Sequence, residues 1–65
     1  MKNTYVAMGT YYRADQYGLV RTVCRATDVK TGEVMTAYVE VGEGGCVGEV
    51  MLMPELEFEQ IFLRA

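Results

Sequence analysis

The chain has 65 residues and a mass of 7.3 kDa, which is enough for one domain spanning residues 1–65. It contains no histidine and no serine, so the usual base and hydroxyl nucleophile of a hydrolase triad are missing. Two cysteines without histidine cannot supply the four nitrogen or sulfur ligands of a structural zinc site. We therefore expect a protein that is not an enzyme and that has no metal site and no cofactor.

Charge is unevenly distributed along the chain. Residues 1–30 carry five basic and two acidic side chains, a net charge of +3, whereas residues 31–65 carry seven glutamates and one arginine, a net charge of −6. Because a duplex-binding protein needs a broad basic surface, we expect no nucleic-acid partner. Residues 1–4 are not followed by the apolar segment of a secretion signal, and no apolar run approaches a membrane span of ~20 residues. The sequence therefore predicts a cytoplasmic protein without a membrane partner.

Glycines divide the chain into segments of strand length. Valine, threonine, tyrosine and methionine predominate between them, which favours β-structure. The first predicted strand covers residues 4–13, with a bend at Gly9. Residues 15–18 form a predicted turn, and residues 19–27 form the second strand. Alternation along this second strand predicts a core face made of Val20, Thr22, Cys24 and Ala26.

The clearest local signal is the turn at residues 28–32. Asp28 can accept hydrogen bonds from the backbone that follows it, and Gly32 can adopt a positive φ. A β-hairpin is therefore predicted between the second strand and a third strand over residues 33–41. A glycine-rich connection leads to a fourth strand over residues 46–53. Cys24 and Cys46 both fall on predicted strands, where we expect reduced and buried thiols.

The segment after the fourth strand has two interpretations. Pro54 ends that strand, because proline has no backbone N–H to donate to a ladder. We favour a short helical turn near residues 54–58 followed by a last strand through Phe62, and a helix over residues 55–63 is the alternative. Five short strands with one helical turn predict a mainly β fold, a small SH3-like five-stranded barrel. Closure of the barrel would remove exposed sheet edges.

Several short motifs resemble a family of short bacterial and phage domains of unknown function. Members begin with Gly-x-Tyr-Arg-His-Tyr-Lys-Gly and end with Arg-Pro-x-x-Met-Phe. The similar segments here are Gly9-Thr10-Tyr11-Tyr12-Arg13, Tyr17, Val23-Cys24-Arg25-Ala26, residues 31–35 leading to Tyr38, and Met53-Pro54-Glu55-Leu56-Glu57-Phe58. This chain departs from the family in lacking the His-Tyr-Lys sequence and in having Met53 before the proline in place of arginine. The resemblance implies a small β-barrel and no established reaction.

Tyrosine and arginine are the one combination of residue types in the sequence that suggests a ligand-binding site. Tyrosine offers a flat surface with a polar tip, and arginine offers a two-pronged donor for phosphate or carboxylate. Simple alternation places Arg21 and Arg25 on the same face of the second strand. The alternative is that the tyrosines fill the core and interfaces while the arginines are solvated or pair with glutamates. The predicted ligand-binding residues are Arg13, Arg21, Arg25, Tyr11, Tyr12, Tyr17 and Tyr38.

Two functional hypotheses follow for so short a chain. Strands with apolar groups on both faces favour a homo-oligomer, a dimer or larger. The leading hypothesis is a non-enzymatic binding protein that sequesters a small anionic, nucleotide-like ligand, by analogy with phage counter-defence proteins that remove an immune signal in a bacterial host cell. The alternative is a protein-interaction module or inhibitor that docks through its acidic C-terminal half, with Glu55, Glu57 and Glu59 as docking residues.

Overall fold

A five-stranded antiparallel sheet and one helix form the fold of residues 6–65, which are the residues that the computed structural model describes. The strand order is β4-β3-β2-β1-β5, with a 3-10 turn at Glu43–Gly45 between β3 and β4. The mainly β prediction is confirmed. The sheet is open within residues 6–65, with β4 and β5 as its two edges, so closure into a barrel is not observed. The elements are β1 (Tyr11–Ala14), β2 (Gly18–Thr27), β3 (Val34–Val41), β4 (Val47–Pro54), α1 (Glu55–Ile61) and β5 (Leu63–Arg64).

The first strand is shorter than predicted. Residues 4 and 5 of the expected strand lie outside the described residues, and residues 6–10 are not a strand. Gly9 has a φ of 66°, which turns the chain away from an extended path. Its backbone N–H donates to the Thr22 carbonyl at 2.8 Å, and Val6 is buried in the core. The segment before β1 therefore folds back as a loop that packs against the sheet.

Both predicted turns are confirmed. The Tyr17 N–H donates to the Ala14 carbonyl at 3.1 Å, which closes the connection between β1 and β2. In the hairpin between β2 and β3, an Asp28 carboxylate oxygen accepts the Lys30 N–H at 2.8 Å. Gly32 has a φ of 76° there and donates to the Asp28 carbonyl. These contacts are local, so the sequence alone is sufficient to predict them.

A β-bulge interrupts the alternation of β2. Thr22 pairs with Tyr38, but the next registered pair is Cys24 with Ala37, so Val23 is an extra residue in the ladder. A bulge of this kind shifts the side-chain alternation of the strand that carries it. On β2, even-numbered residues before Val23 therefore face the core, whereas odd-numbered residues face it after Val23.

The bulge changes which residues of β2 reach the core. Val20 and Thr22 are buried as predicted, but Cys24 and Ala26 are exposed, so the predicted core face is wrong beyond the bulge. Cys46, just before β4, is also exposed, and both cysteines are free thiols. The prediction of buried thiols is therefore wrong at both positions.

The helix is longer than a single turn, and one aromatic residue within it and one directly after it belong to the core. Phe58 lies within α1 and Phe62 is the residue directly after it, with an extended backbone; their rings stack at 4.3 Å. Phe58 is fully buried and meets the Tyr12 ring edge-on at 5.2 Å. A short last strand does follow the helix, but at Leu63–Arg64, so the predicted strand through Phe62 is wrong in its bounds. The alternative helix over residues 55–63 extends two residues beyond the end of α1. The core cluster comprises Val6, Tyr12, Ala14, Val20, Tyr38, Met53, Phe58 and Phe62.

Candidate ligand-binding surface

The sheet has two faces with different surroundings. One face carries Tyr12, Thr22 and Tyr38 and is covered by α1; we call it the inner face. The opposite face is called the outer face, and no helix within residues 6–65 covers it. Ladder partners place the following residues on the outer face: Tyr11, Arg13, Arg21, Cys24, Ala37, Val39, Val50 and Leu52.

Three of the seven predicted ligand-binding residues lie together on the outer face. Tyr11 is the direct ladder partner of Arg21, and Arg13 follows Tyr11 by two residues on the same face of β1. Opposed residues in an antiparallel pair have Cβ atoms about 4.5–5.5 Å apart, so a phenol ring and a guanidinium lie side by side. Tyr11 and Arg13 are exposed and Arg21 is half-buried, which leaves this group accessible to a ligand.

Arg25 is separated from that group by the bulge. Its ladder partner is Thr36 on the inner face, so Arg21 and Arg25 point to opposite sides of the sheet and the predicted shared face is wrong. Arg25 Nε donates to Glu55 Oε1 at 2.8 Å, and its Nη2 donates to Glu55 Oε2 at 3.2 Å. Nη2 also donates to the Val6 carbonyl. Arg25 thus ties the start of α1 and the loop before β1 to the sheet.

Three of the predicted tyrosines pack against the aromatic core. Tyr12 and Tyr38 are buried, and Tyr38 lies 5.6 Å from the Phe58 ring. Burial raises the pKa of the Tyr38 phenol, with smaller contributions from Tyr17 and Glu40. Tyr17 is partly exposed and meets Phe62 at 5.2 Å. The rings of Tyr12 and Tyr38 are therefore closed to stacking by a ligand in this conformation.

The partner of Arg25 was not identified from the sequence. Glu55 belongs to a run of alternating glutamates, which predicts a solvated acidic edge. Its carboxylate is largely shielded and also accepts the Val6 N–H at 3.3 Å. Glu55 directly follows Pro54 and lies in the first turn of α1, where an acidic side chain is favourable. This position was the only local sign in the sequence that Glu55 has a structural role.

Two of the shallow grooves outside the Tyr11–Arg21 group are lined by glutamate side chains. One, of about 360 Å³, lies beside the connection between β3 and β4, and Glu40 is its one charged lining residue. The other, of about 330 Å³, lies between the start of β3 and α1 and is lined by Glu33, Val34, Glu55, Leu56 and Glu59. Negative lining disfavours anions in both grooves. No group of three metal-ligating side chains occurs in the described part of the chain.

No protein-family model, curated protein or solved structure matches this chain. Among residues 6–65, the single helix is too short to span a bilayer. The chemistry of the surface is therefore the basis for a functional assignment.

Proposed function

We propose that the protein is a non-enzymatic binding protein that self-associates and sequesters a small anionic, nucleotide-like ligand at Tyr11, Arg13 and Arg21. One observation carries the proposal, the ladder pairing of Tyr11 with Arg21 on the outer face. Arginine can donate two parallel hydrogen bonds to a phosphate, and the phenol ring beside it offers a surface on which a base can stack. No hydrogen bond or ion pair within residues 6–65 engages the guanidinium of either Arg13 or Arg21.

The basic group is confined to one part of an otherwise acidic protein. Arg25 is engaged by Glu55, and β4 and α1 bring most of the glutamates of the C-terminal half. A patch with two arginines that have no ion-pair partner among residues 6–65 suits a compact anion better than a nucleic-acid backbone, which needs a longer basic path. A small ligand held by two guanidinium groups and one ring is therefore the preferred class.

The resemblance to short bacterial and phage domains supports a role in the cytoplasm of a bacterial host cell. Removal of a nucleotide signal, as in phage counter-defence, would need no chemistry beyond binding. The strand order and the helix before the last strand also support the SH3-like interpretation of the fold.

A thermal-shift panel of mononucleotides, cyclic nucleotides and inorganic phosphate tests the proposal. Ligand at 100 times its dissociation constant stabilises the folded state by about 2.7 kcal/mol. For a domain of this size we expect the melting temperature to rise by about 10 °C or more. Arg21→Ala should weaken binding at least tenfold and leave the ligand-free melting temperature unchanged. Lys30→Ala, at the tip of the hairpin between β2 and β3, is the matched control and should bind normally. No shift with any anion would refute the proposal.

A second function is favoured by the acidic groove beside α1. Glu59 and the exposed Leu56 line it together with Glu33, which suits a partner with basic and apolar side chains. Reversal of Glu55 would break the contact with Arg25, so the test uses Glu57→Lys with Glu59→Lys. Loss of a co-purifying protein from this variant, and its retention by Glu43→Lys, would favour the interaction module over the anion site.

A further inference from the structure

The edge strand β4 exposes both its backbone and its side chains. It is eight residues long, and its one strand neighbour within residues 6–65 is β3. Val50 and Leu52 are 62% and 61% exposed on the outer face, and Met51 is exposed on the inner face. The opposite edge, β5, has only two residues, one of which is Arg64.

An edge of this kind is a template for a further strand. Folded proteins protect their edges with short strands, lysines, prolines or bulges, because unpaired N–H and C=O groups recruit another chain. Between residues 50 and 53, β4 has no charged side chain, no proline and no bulge. The bulge of β4 lies at residues 48–49, between the ladder pairs of Val47 and Val50, and Pro54 is at the far end of the strand.

We propose that β4 pairs antiparallel with β4 of a second copy, about a two-fold axis that passes through Met51, to give a continuous ten-stranded sheet. The proposal rests on the self-association in the proposed function and does not depend on the anion site. Opposed residues of an antiparallel pair share a face, so the axis must pass through a residue position. With Met51 on the axis, residues 50–52 pair as a regular ladder, and the bulge at residues 48–49 lies beyond them.

A second copy fits this edge residue by residue. Val50 lies opposite the partner's Leu52 on the outer face, and Met51 lies opposite the partner's Met51 on the inner face. At each end of the paired segment, Glu49 lies near the partner's Met53 and away from the partner's Glu49. The two Glu49 side chains are offset along the strands by about 14 Å, which exceeds the Debye length of about 8 Å at physiological ionic strength. The contact is isologous, so it closes as a dimer.

The pairing also fixes where the anion sites lie. Arg21 is on β2, so five strand spacings separate it from Arg21 of the partner subunit, a distance of about 24 Å. That gap is too wide for one nucleotide to bridge. Each protomer therefore carries a separate site, and the dimer takes two ligands.

Sedimentation equilibrium on the full chain tests the interface. We expect the wild type to sediment at twice its 7.3 kDa mass. Leu52→Lys should raise the dimer dissociation constant at least tenfold, because natural edges use lysine to block pairing. Leu63→Lys, on β5 and 77% exposed, is the matched control and should remain dimeric.

Cysteine cross-linking tests the register separately. In a Cys24→Ala, Cys46→Ala background, Met51→Cys should form a covalent dimer on mild oxidation, because opposed Cα atoms at about 4.5–5.5 Å suit a disulfide. Glu49→Cys should not cross-link. A wild type that stays monomeric at about 100 µM, a range typical of weak dimers, would overturn the pairing together with self-association and leave the anion site intact. A dimer that survives Leu52→Lys, or cross-links through Glu49→Cys, would overturn the β4 interface alone.

Discussion

Replacing Arg25 with alanine should destabilise the fold by about 2 kcal/mol, although its sequence position suggested a ligand contact. The guanidinium makes two charge-assisted hydrogen bonds to Glu55 and a third to the Val6 carbonyl. Hydrogen bonds to charged groups contribute about 1.5–3 kcal/mol each when one partner is removed. The Arg25 side chain is 28% exposed and Glu55 is 14% exposed, so water screens part of that energy. A net loss of about 2 kcal/mol corresponds to a fall in melting temperature of about 8–16 °C.

A double-mutant cycle in urea measures this contact. Arg25→Ala, Glu55→Ala and the double variant should give a coupling energy of about 1 kcal/mol or more, because the two residues share one network. Arg21→Ala is the matched control on the same strand and should lie within about 0.5 kcal/mol of the wild type. The reasoning fails if Arg25→Ala matches the wild type, or if Arg21→Ala costs as much as Arg25→Ala.

Three further perturbations test the core. Phe58→Ala should lower the free energy of unfolding by about 3–5 kcal/mol, because the ring is fully buried. In thermal unfolding the control Leu56→Ala, on the exposed side of α1, should change the stability little, and equal losses from the two variants would contradict the packing. Thr36→Val should raise the melting temperature by several degrees, because the buried Thr36 hydroxyl has no hydrogen-bond partner among residues 6–65 and its removal should stabilise the fold by about 1 kcal/mol. A lower melting temperature than that of the wild type would show that the hydroxyl has a hydrogen-bond partner. Because the pKa of Tyr38 is raised in the folded protein, the unfolded chain loses the phenol proton first, and the free energy of unfolding should fall as pH rises above about 10. Tyr38→Phe should reduce this fall when denaturation is measured as a function of pH. An unchanged pH dependence would show that other groups dominate.

The strands of the hairpin between β2 and β3 were predicted to within one residue. Their boundaries follow from β-branched segments and from Asp28 and Gly32, whose preferences act over four or five residues. Gly9 was identified as a bend, but its positive φ and the loop before it depend on the burial of Val6. Local preference therefore fixed the central hairpin better than the ends of the sheet.

The candidate site was predicted in composition but not in arrangement. Tyr11, Arg13 and Arg21 were among the predicted ligand-binding residues, and the structure brings them onto one face. Simple alternation groups Arg25 with Arg21, because it gives no sign of an extra residue at Val23. The bulge appears only when the partner strand is known, since it is a property of the pairing between two strands.

By itself, the sequence determined a small, mainly β chain, the positions of two turns, and the absence of histidine and serine. These properties follow from composition and from interactions between near neighbours. Only the tertiary structure decided that residues 55–61 form a helix, that Arg25 forms an ion pair with Glu55, and that β4 is an edge strand of the sheet. Each of these outcomes depends on contacts between residues distant in the chain, such as Phe58 packing on Tyr12, and no local pattern contains that information.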